Sequence, residues 1–475
     1  MTIEELLQSS SNIVSFREKL RNKKRAFSVP FDDVLNQIDP MKHDVMKTSI
    51  RPKKQVKIPT GKTDANGKPI LRIKYQDVAR VTVPLQRIIV ERTVGFFLSK
   101  PIDYKAEGLL DESAQKLMTD IKKVFRQNKI DYFDKNLCRK VFIGREAAEL
   151  WYHVPNADGR PSGQLKVKLL SPLMGDELLP HFDEYDRMDG FARNYKTQDE
   201  DGRWHSQIDI YTERMVYKYV QNDNGDFIEN ATPTPHGFDR LPVVYYRQEE
   251  SEWASVQKNI DRIEFLLSSW ADTNDYYGSP SYFVKGKING FAEKGETGKV
   301  YQSSDGSGEM KVLSWDSSPT SISGELAHLF NIVFSYTQTP DVSFETMKTL
   351  GNNTSGAAIR LMFTDPHMKV RMKEELFGEM LTRRYNIVKS AIGTLNGYKS
   401  ATIDSIDIEP VFYPYIPENM LETINMLKSA SQSSIMSQES AIRQNPLVDN
   451  PEEEIKNIVA AQQAAMMADL LNPTE

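Results

Sequence analysis

The sequence predicts an α+β fold, because strand-like and helix-like patterns occupy separate stretches of the chain. Residues 147–247 contain short alternating segments divided by glycine turns at regular spacing, which is typical of an antiparallel β domain. Helical periodicity dominates before this block and returns from Glu252 onward. The strands are therefore expected in one part of the chain and the long helices in others.

The composition is that of an ordered protein and excludes several kinds of site. The 475 residues suffice for about two to four domains, or for one extended subunit. An apolar content of 39% and a charged content of 27% fit an ordered soluble chain. The single cysteine, Cys138, excludes an intrachain disulfide and a CxxC metal site, and we expect a core or neutral surface thiol. Neither a signal peptide nor an apolar stretch long enough to span a bilayer is visible, so no membrane contact is expected.

Charge is unevenly distributed, although the net charge is only −6. Residues 1–100 carry 20 Lys and Arg against 10 Asp and Glu, a net charge of +10. Residues 404–475 carry 3 against 12, a net charge of −9. This asymmetry predicts ends with different partners, or opposed surfaces in an assembly. A tight DNA binder would show a basic excess throughout one domain, whereas a protein that lets DNA slide does not need one.

The N-terminal third predicts helices around a polar hairpin. Residues 3–24 form the first helical pattern, with a basic end that suits the helix dipole. An Asn-Gly turn signal lies between alternating segments in residues 51–75, which predicts a hairpin or a loose arm. Further helices are expected over 76–99, about 110–128 and about 131–143.

The middle of the chain predicts two long helices around a small β-rich insert. A helix of about 25 residues begins near Glu252, the insert covers 280–314, and helical pattern resumes over about 321–336. One apolar stripe runs along the first of these helices at spacings of three and four residues. Its members are Val256, Ile260, Ile263, Leu267 and Trp270. The stripe is either an ordinary monomer core or a packing surface between subunits, and periodicity does not separate the two.

A polar, glycine-bracketed loop precedes the longest helical pattern. Residues 351–360 include two Gly, two Asn, one Thr and one Ser, and a helix from about residue 355 to 392 follows, with an expected kink at Pro366. By itself the loop is a helix connection whose Gly and Asn residues serve as caps. A last strand is expected over 403–412, and helices from residue 417 to the end, with Ser437 as an N-cap.

Enzyme signatures are weak throughout. The segment around Lys299 superficially resembles a phosphate loop, but Glu293 occupies the position of the first glycine and Val300 that of the magnesium-binding hydroxyl. The seven histidines show no metal-ligand spacing, and no G-x-S-x-G elbow is present. No enzymatic activity, cofactor or metal is therefore expected.

Several segments in one order resemble the portal proteins of tailed double-stranded DNA bacteriophages, most closely the siphophage type. Each is a weak motif alone, but their common order over roughly residues 75–460 is specific. They are residues 89–102, with a helix that ends in glycine, aromatics and Lys-Pro; 236–244; 259–263; 355–359, with the pattern Ser-Gly-Ala-Ala; and 415–419, 435–440 and 445–449.

This resemblance implies a subunit with long stem helices, an antiparallel β-containing wing, a small β-rich clip and an α-helical crown. The implied boundaries are an N-terminal arm at 1–75, a wing at 76–250, stem helices at 251–279 and 318–339, a clip at 280–317, a tunnel loop at 340–354, the long kinked wing helix at 355–402, and a crown with a C-terminal tail at 403–475.

The resemblance also implies function and partners. Portal subunits form a ring of about twelve copies at one capsid vertex, through which the terminase motor pumps DNA and through which DNA later leaves. The implied partners are further copies of the chain, the terminase large subunit, the major capsid protein, a scaffold, a head-completion protein and non-specifically bound double-stranded DNA. The implied location is the virion, after assembly in the host cytoplasm.

In this reading the stripe on the first stem helix packs between subunits, and the tunnel loop faces DNA. The candidates for contact with DNA are Lys348, Asn352, Asn353 and Thr354, because amides and one cation contact phosphates without reading sequence. For Lys348, an ordinary surface-loop position is an equal alternative. The rival functions are a capsid-associated adaptor that never contacts DNA and a nucleotide enzyme built around Lys299.

Overall fold

A computed structural model of the chain describes residues 1–24, 30–106, 111–155, 161–199, 201–277, 281–285, 309–313, 319–339, 363–415, 420–433, 435–445, 447–448 and 450–471. One compact unit spans Met1–Pro340 and Pro366–Pro414, and a second spans Asp341–Asp365 and Tyr415–Glu475. The mixture of helices and antiparallel sheets confirms the α+β class.

The helices and strands follow the predicted order. The helices are α1 (Ile3–Gln8), α2 (Ile13–Lys23), α3 (Phe31–Ile38), α4 (Leu85–Phe97), α5 (Glu112–Gln127), α6 (Ile130–Gly144), α7 (Gln257–Tyr277), α8 (Pro319–Tyr336), α9 (Thr364–Leu395), α10 (Ser400–Asp404), α11 (Met420–Gln432), α12 (Gln438–Arg443) and α13 (Pro451–Leu471). The strands are β1 (Lys54–Thr63), β2 (Pro69–Gln76), β3 (Asp103–Ala106), β4 (Glu146–Pro155), β5 (Pro161–Leu170), β6 (Glu177–Phe182), β7 (Met188–Gln198), β8 (Trp204–Tyr211), β9 (Met215–Gln221), β10 (Phe227–Pro235), β11 (Val243–Arg247), β12 (Ser281–Lys285), β13 (Glu309–Leu313) and β14 (Ile408–Val411).

The predicted β domain is present and wholly antiparallel. Within the described residues, β6 to β10 form a five-stranded meander in chain order, and β11, β4 and β5 form a three-stranded sheet with β4 in the centre. A core of residues from both sheets lies between them and includes Leu150, Leu178, Phe191 and Val243. The hairpin of β1 and β2 confirms the Asn-Gly turn signal, with Gly67 at φ 75°.

The first helical pattern is two helices, not the single helix expected over 3–24. Asn12 ends the continuity, because its side chain accepts a hydrogen bond from Ser15 N at 2.7 Å and caps α2. Thr2 and Glu5 form a capping box at the start of α1. The intervening serines favour such caps over a helix interior, which explains the break.

The two N-terminal helices cover the other face of the five-stranded sheet. Ile3, Leu6, Phe16 and Leu20 are buried against apolar residues of β6, β7 and β8. These first residues of the expected N-terminal arm are therefore part of a packed core.

Three further boundaries differ from the prediction. The helix expected over 76–99 begins only at Leu85, because Pro84 has no N–H and restricts Val83 to extended backbone. A helix boundary lies at Thr364, inside the helix expected over 355–392, whose residues 355–362 lie outside the described part of the chain. Pro366 is therefore in the first turn of α9, where a missing N–H has no intrahelical partner to lose. Part of the strand expected over 403–412 is α10, and β14 pairs with β3.

The C-terminal unit is helical, as expected. Ser437 is confirmed as the N-cap of α12, since its hydroxyl accepts a hydrogen bond from Ser440 N at 3.2 Å. Glu452, Glu453 and Glu454 lie in the first turn of α13, where carboxylates stabilise the positive end of the helix dipole.

Replacing Gly190 with alanine is expected to displace α1 from the sheet. An added Cβ would lie 2.4 Å from Ile3 Cδ1 and 2.6 Å from Ile3 Cβ, so the buried Ile3 must shift as a whole. We expect a loss of about 1–3 kcal/mol and faster hydrogen exchange in α1. Gly378→Ala is the matched control, because open space surrounds its added methyl in α9; it should be neutral or stabilising by about 0.5–1 kcal/mol. Equal exchange in α1 for both variants would contradict the prediction.

Candidate functional site

The predicted stripe on the first stem helix divides into two parts. Val256, Ile260 and Ile263 are fully buried within one chain. Leu267 and Trp270 are half-buried. The first three therefore belong to the core of the subunit, and contact with another subunit remains a prediction that rests on the exposed parts of the last two.

The two predicted stem helices, α7 and α8, pack against each other. An exposed ion pair joins them, because Arg262 Nε and Nη2 donate to Glu325 Oε1 at 2.9 and 2.7 Å. Such an exposed pair adds about 0–1 kcal/mol, so it orients the helices more than it stabilises them.

An extended segment of the same chain runs along one face of α7. The backbone N–H groups of Ala79, Val81 and Val83 donate to side chains at 2.7, 2.8 and 2.8 Å. The acceptors are, in the same order, Asp272, Ser268 and Glu264. Two residues of extended chain advance about 6.6 Å and four residues of helix about 6 Å, so the two repeats match. This match fixes the segment on α7 in one register.

A buried histidine reinforces the same face of α7. His43 Nδ1 lies 2.7 Å from Glu264 Oε1, and its Nε2 lies 2.8 Å from the carbonyl oxygen of Gln37. Both ring nitrogens face acceptors, which only the doubly protonated imidazolium satisfies. Burial opposes the charge, but the hydrogen bond and charge of Glu264 outweigh it and raise the pKa of His43 above 6.5. Glu264 thus holds both the extended segment and His43.

Lys369 joins the chain on the two sides of the predicted tunnel loop. Thr339 is the last described residue before that loop, and α9 follows it. The Lys369 ammonium donates to the carbonyl oxygen of Thr337 at 2.9 Å and to Thr93 Oγ1 at 2.8 Å. It also lies 2.9 Å from Glu252 Oε2. Its three protons therefore have three acceptors, from α4, from the chain before α7 and from the end of α8.

The Glu252 carboxylate holds two lysines in a buried site. Lys369 binds one carboxylate oxygen and Lys373, one helical turn later in α9, binds the other. Burial disfavours the carboxylate, but the two ammonium groups outweigh it and lower the pKa of Glu252. This cluster is called the Glu252 node below.

A second buried ionic cluster fixes the middle of α9. Arg384 Nε donates to both oxygens of Glu149 on β4 at 2.9 Å, and its Nη2 lies 2.6 Å from Asp134 on α6. Two carboxylates share this one guanidinium. Burial raises the pKa of Asp134 to about 6, with Arg384 acting against that shift. Tyr246 and Trp151 also donate to Glu149.

The predicted DNA-facing residues lie outside the part of the chain that the structure describes. These residues are Lys348, Asn352, Asn353 and Thr354, and Lys299 of the rejected phosphate loop also lies outside the described residues. Of the predicted clip, β12 and β13 are described, and they pair as an antiparallel hairpin.

The described residues contain no candidate metal site. Among them, no group of three or more His, Cys, Asp or Glu side chains is arranged to hold a metal ion. Cys138 is buried, and burial raises the pKa of its thiol. None of the described helices has the length and apolar content that crossing a membrane requires.

The polar residues that position these elements were missed by periodicity. Glu264, Ser268 and Asp272 follow each other at a spacing of four residues on α7, but the sequence analysis singled out only the apolar stripe of this helix. Extended backbone such as that of residues 79–83 leaves no signal in hydrophobic periodicity, because its partners are single polar atoms.

Comparison with known proteins decides the family. The model of the family described as "Phage portal protein, SPP1 Gp6-like" matches residues 41–467, which is most of the chain. The chain belongs to this family. The portal protein of Bacillus phage SPP1 is 24% identical in an alignment of 299 residues that covers 56% of this chain and 56% of that protein. The match thus spans about half the length of that portal protein.

Membership in the portal family agrees with the sequence resemblance. Portal proteins are structural proteins of the phage capsid rather than a known enzyme family. The helices α7 and α8 cover residues that were predicted to form the stem, and that assignment stays a prediction. The Glu252 node lies where α8 ends.

Glu252→Gln is expected to destabilise this subunit strongly. The amide leaves Lys369 and Lys373 buried without a counter-charge, and breaking a buried ion pair on one side costs about 3–5 kcal/mol. The matched control is Glu325→Gln, which breaks the exposed pair with Arg262 and should cost about 0–1 kcal/mol. Urea unfolding followed by tryptophan fluorescence measures both. Similar losses for the two variants would contradict the importance of the node.

The attachment of residues 79–83 to α7 is expected to weaken with rising pH. The pKa of His43 is raised in the folded chain, so its contribution is complete below the unfolded value of about 6.5 and is lost as pH rises through the folded pKa. Hydrogen exchange at Val83, corrected for intrinsic pH effects, should accelerate over this range. His43→Gln should remove the pH dependence. A pH-independent exchange rate in the unsubstituted protein would exclude the mechanism.

Proposed function

We propose that this chain is the subunit of a ring of about twelve copies at one vertex of a phage capsid. The ring is the channel through which the terminase motor packages double-stranded DNA and through which DNA later leaves. The observation that carries the proposal is the family match over residues 41–467. The match spans α7 and α8, which are the predicted stem helices, the strands of the predicted clip, and most of the helical C-terminal region.

The arrangement of α7 supports a load-bearing role in such a ring. The helix is fixed along one face by Glu264, Ser268 and Asp272, and along its first half by a buried apolar stripe. A helix held on two sides resists sliding and rotation when force acts on its exposed part. Leu267 and Trp270 are proposed to pack against the next subunit.

DNA passes the ring without sequence-specific binding in this proposal. Lys348, Asn352, Asn353 and Thr354 are proposed to contact phosphates, because such contacts position DNA and carry no sequence information. One lysine from each subunit gives a diffuse field that weakens with added salt, which suits a channel in which DNA must move. The Glu252 node supports the loop, because it joins Thr337 before the loop to α9 after it.

The ends of the subunit are proposed to meet different partners. The clip at 280–317 docks the terminase large subunit during packaging, and head-completion and tail proteins afterwards. The wing contacts the major capsid protein, and a scaffold during assembly. The crown at 403–475, with its net charge of −9 over residues 404–475, repels DNA and keeps it from adhering.

A capsid-associated adaptor that never contacts DNA is the second candidate function. Its support is the net charge of −6 of the whole chain, which does not favour binding to a polyanion. It predicts an assembly without an axial hole and no effect of substitutions in residues 340–354.

Negative-stain electron microscopy with native mass spectrometry of the purified chain tests the proposal. A ring with a central hole wide enough for duplex DNA is expected. If rings are absent without partners, the same measurement is made after co-expression with the phage's capsid and scaffold proteins. A compact oligomer without a hole under both conditions would overturn the portal role and favour the adaptor.

Reversing the acidic start of α13 is expected to slow packaging or ejection. Replacing Glu452, Glu453 and Glu454 by lysine removes three negative and adds three positive charges per subunit, and DNA should then adhere to the crown. The same three positions changed to glutamine should give a smaller effect of the same sign. Because these carboxylates also stabilise the N-terminus of α13, helix content is measured by circular dichroism. Unchanged rates in a packaging assay for the lysine variant would sink the hypothesis.

A further inference from the structure

The hairpin of β1 and β2 is the most exposed folded element among the described residues of the first unit. Every residue of β2 is exposed. An isolated two-stranded hairpin has no core of its own and is marginally stable in water. Its outer edges also leave backbone donors and acceptors that are not paired within the hairpin. A hairpin of this kind gains its stability from a partner.

The two faces of the hairpin differ. The cross-strand pairs Lys57↔Ile73 and Gln55↔Tyr75 place Ile73 and Tyr75 on one face, and Leu71 lies on the same face two residues before Ile73. All three are large apolar side chains with high exposure: Leu71 is 49% exposed, Ile73 55% and Tyr75 61%. Val56 and Ile58 lie on the opposite face and are half-buried. Ile70, also on the opposite face, is 43% exposed. The face of Leu71, Ile73 and Tyr75, called the apolar hairpin face below, therefore carries the most exposed apolar side chains of the hairpin.

The charge of the hairpin indicates the chemistry of its partner. Residues 53–76 contain seven Lys and Arg and one Asp, a net charge of +6. Since the whole chain has a net charge of −6, the remaining residues together carry −12. A basic hairpin with a large apolar face complements an acidic protein surface. Duplex DNA fits it less well, because a phosphate backbone does not cover three large apolar side chains.

We propose that the apolar hairpin face docks on the next copy of this chain, so that the hairpin is an arm between neighbouring subunits. The proposal rests on the ring of the proposed function. In a ring, each interface joins two different surfaces, and one protruding element on every subunit reaches the neighbour in the same way. The attachment of the hairpin supports this, because residues 79–83, directly after it, are held along α7 and fix where the arm begins.

Photo-cross-linking with isotope-mixed chains tests the contact directly. Tyr75 is replaced by p-benzoylphenylalanine, and equal amounts of natural-abundance and nitrogen-15 chains are assembled together. Cross-linked peptides that combine the two isotopes come from different subunits, and we expect these at Tyr75. The same replacement at Tyr132, which is 75% exposed on α6, is the control for random collisions. Cross-links at Tyr75 within one chain only would overturn the proposal.

Substitutions then measure what the face contributes. Ile73→Thr with Tyr75→Thr keeps residues that favour strands and removes apolar area, so the concentration for half-assembly should rise about tenfold or more. Ile70→Thr, on the opposite face, is the matched control and should change it less than about threefold. Equal shifts for both would overturn the assignment of the face. Thermal unfolding checks that the subunit fold is retained.

The outcomes separate this proposal from the proposed function. Rings that form without inter-subunit cross-links at Tyr75 refute the arm and leave the portal role standing. Inter-subunit cross-links in an oligomer without a central hole support the arm and refute the ring. A chain that stays monomeric at all concentrations, also in the presence of capsid and scaffold proteins, refutes both.

Discussion

The buried contact between Glu252 and Lys369 is the constraint on which the rest of the first unit depends. Taking a carboxylate and an ammonium out of water costs several kcal/mol for each ion, so the pair is stable only when its remaining hydrogen-bonding capacity is used. Here the ammonium has three acceptors and the carboxylate has a second lysine. The geometry is therefore specific: α4, the end of α8, the start of α9 and the chain before α7 have to meet at one point. An apolar cluster of equal volume would tolerate several arrangements.

Hydrogen bonds from backbone N–H groups impose a similar geometric constraint where residues 79–83 lie along α7. An extended segment buried against a helix has N–H groups that need acceptors, and a helix has no free backbone acceptors along its side. Three side chains at intervals of four residues supply them, because the repeats of helix and extended chain agree within about 10%. A shift by one residue would leave all three N–H groups without acceptors and would separate Glu264 from His43. The register of residues 79–83 is thus determined by hydrogen bonds and not by apolar packing.

Sequence reasoning predicted the elements whose signals are local and periodic. It correctly predicted the strands between residues 147 and 247, the hairpin with its Asn-Gly turn and the N-cap Ser437. Turns and caps are predictable because they depend on the side chains of a few adjacent residues. The predicted helix boundaries were wrong where a single residue interrupts the helical periodicity. Asn12 does so between α1 and α2, and Pro84 does so before α4. The candidate site was predictable only as a family resemblance. The Glu252 node joins residues more than a hundred positions apart, and no single-sequence pattern relates Glu252 to Lys369.

The buried ion pairs of the Glu252 node and the hydrogen bonds along α7 also explain how a subunit of the proposed ring can be stiff where it carries force and adaptable where it meets partners. Buried ion pairs and register-specific hydrogen bonds hold α7, α8 and α9 in one arrangement, since each has only one geometry that satisfies its polar groups. The hairpin follows the opposite principle, with exposed apolar residues and excess charge but few fixed contacts within the chain. The two elements are adjacent, because residues 79–83 continue from the hairpin onto α7. In the proposed ring, a load on the hairpin arm would therefore pass to α7, and a neighbour held by that arm would be positioned relative to this helix.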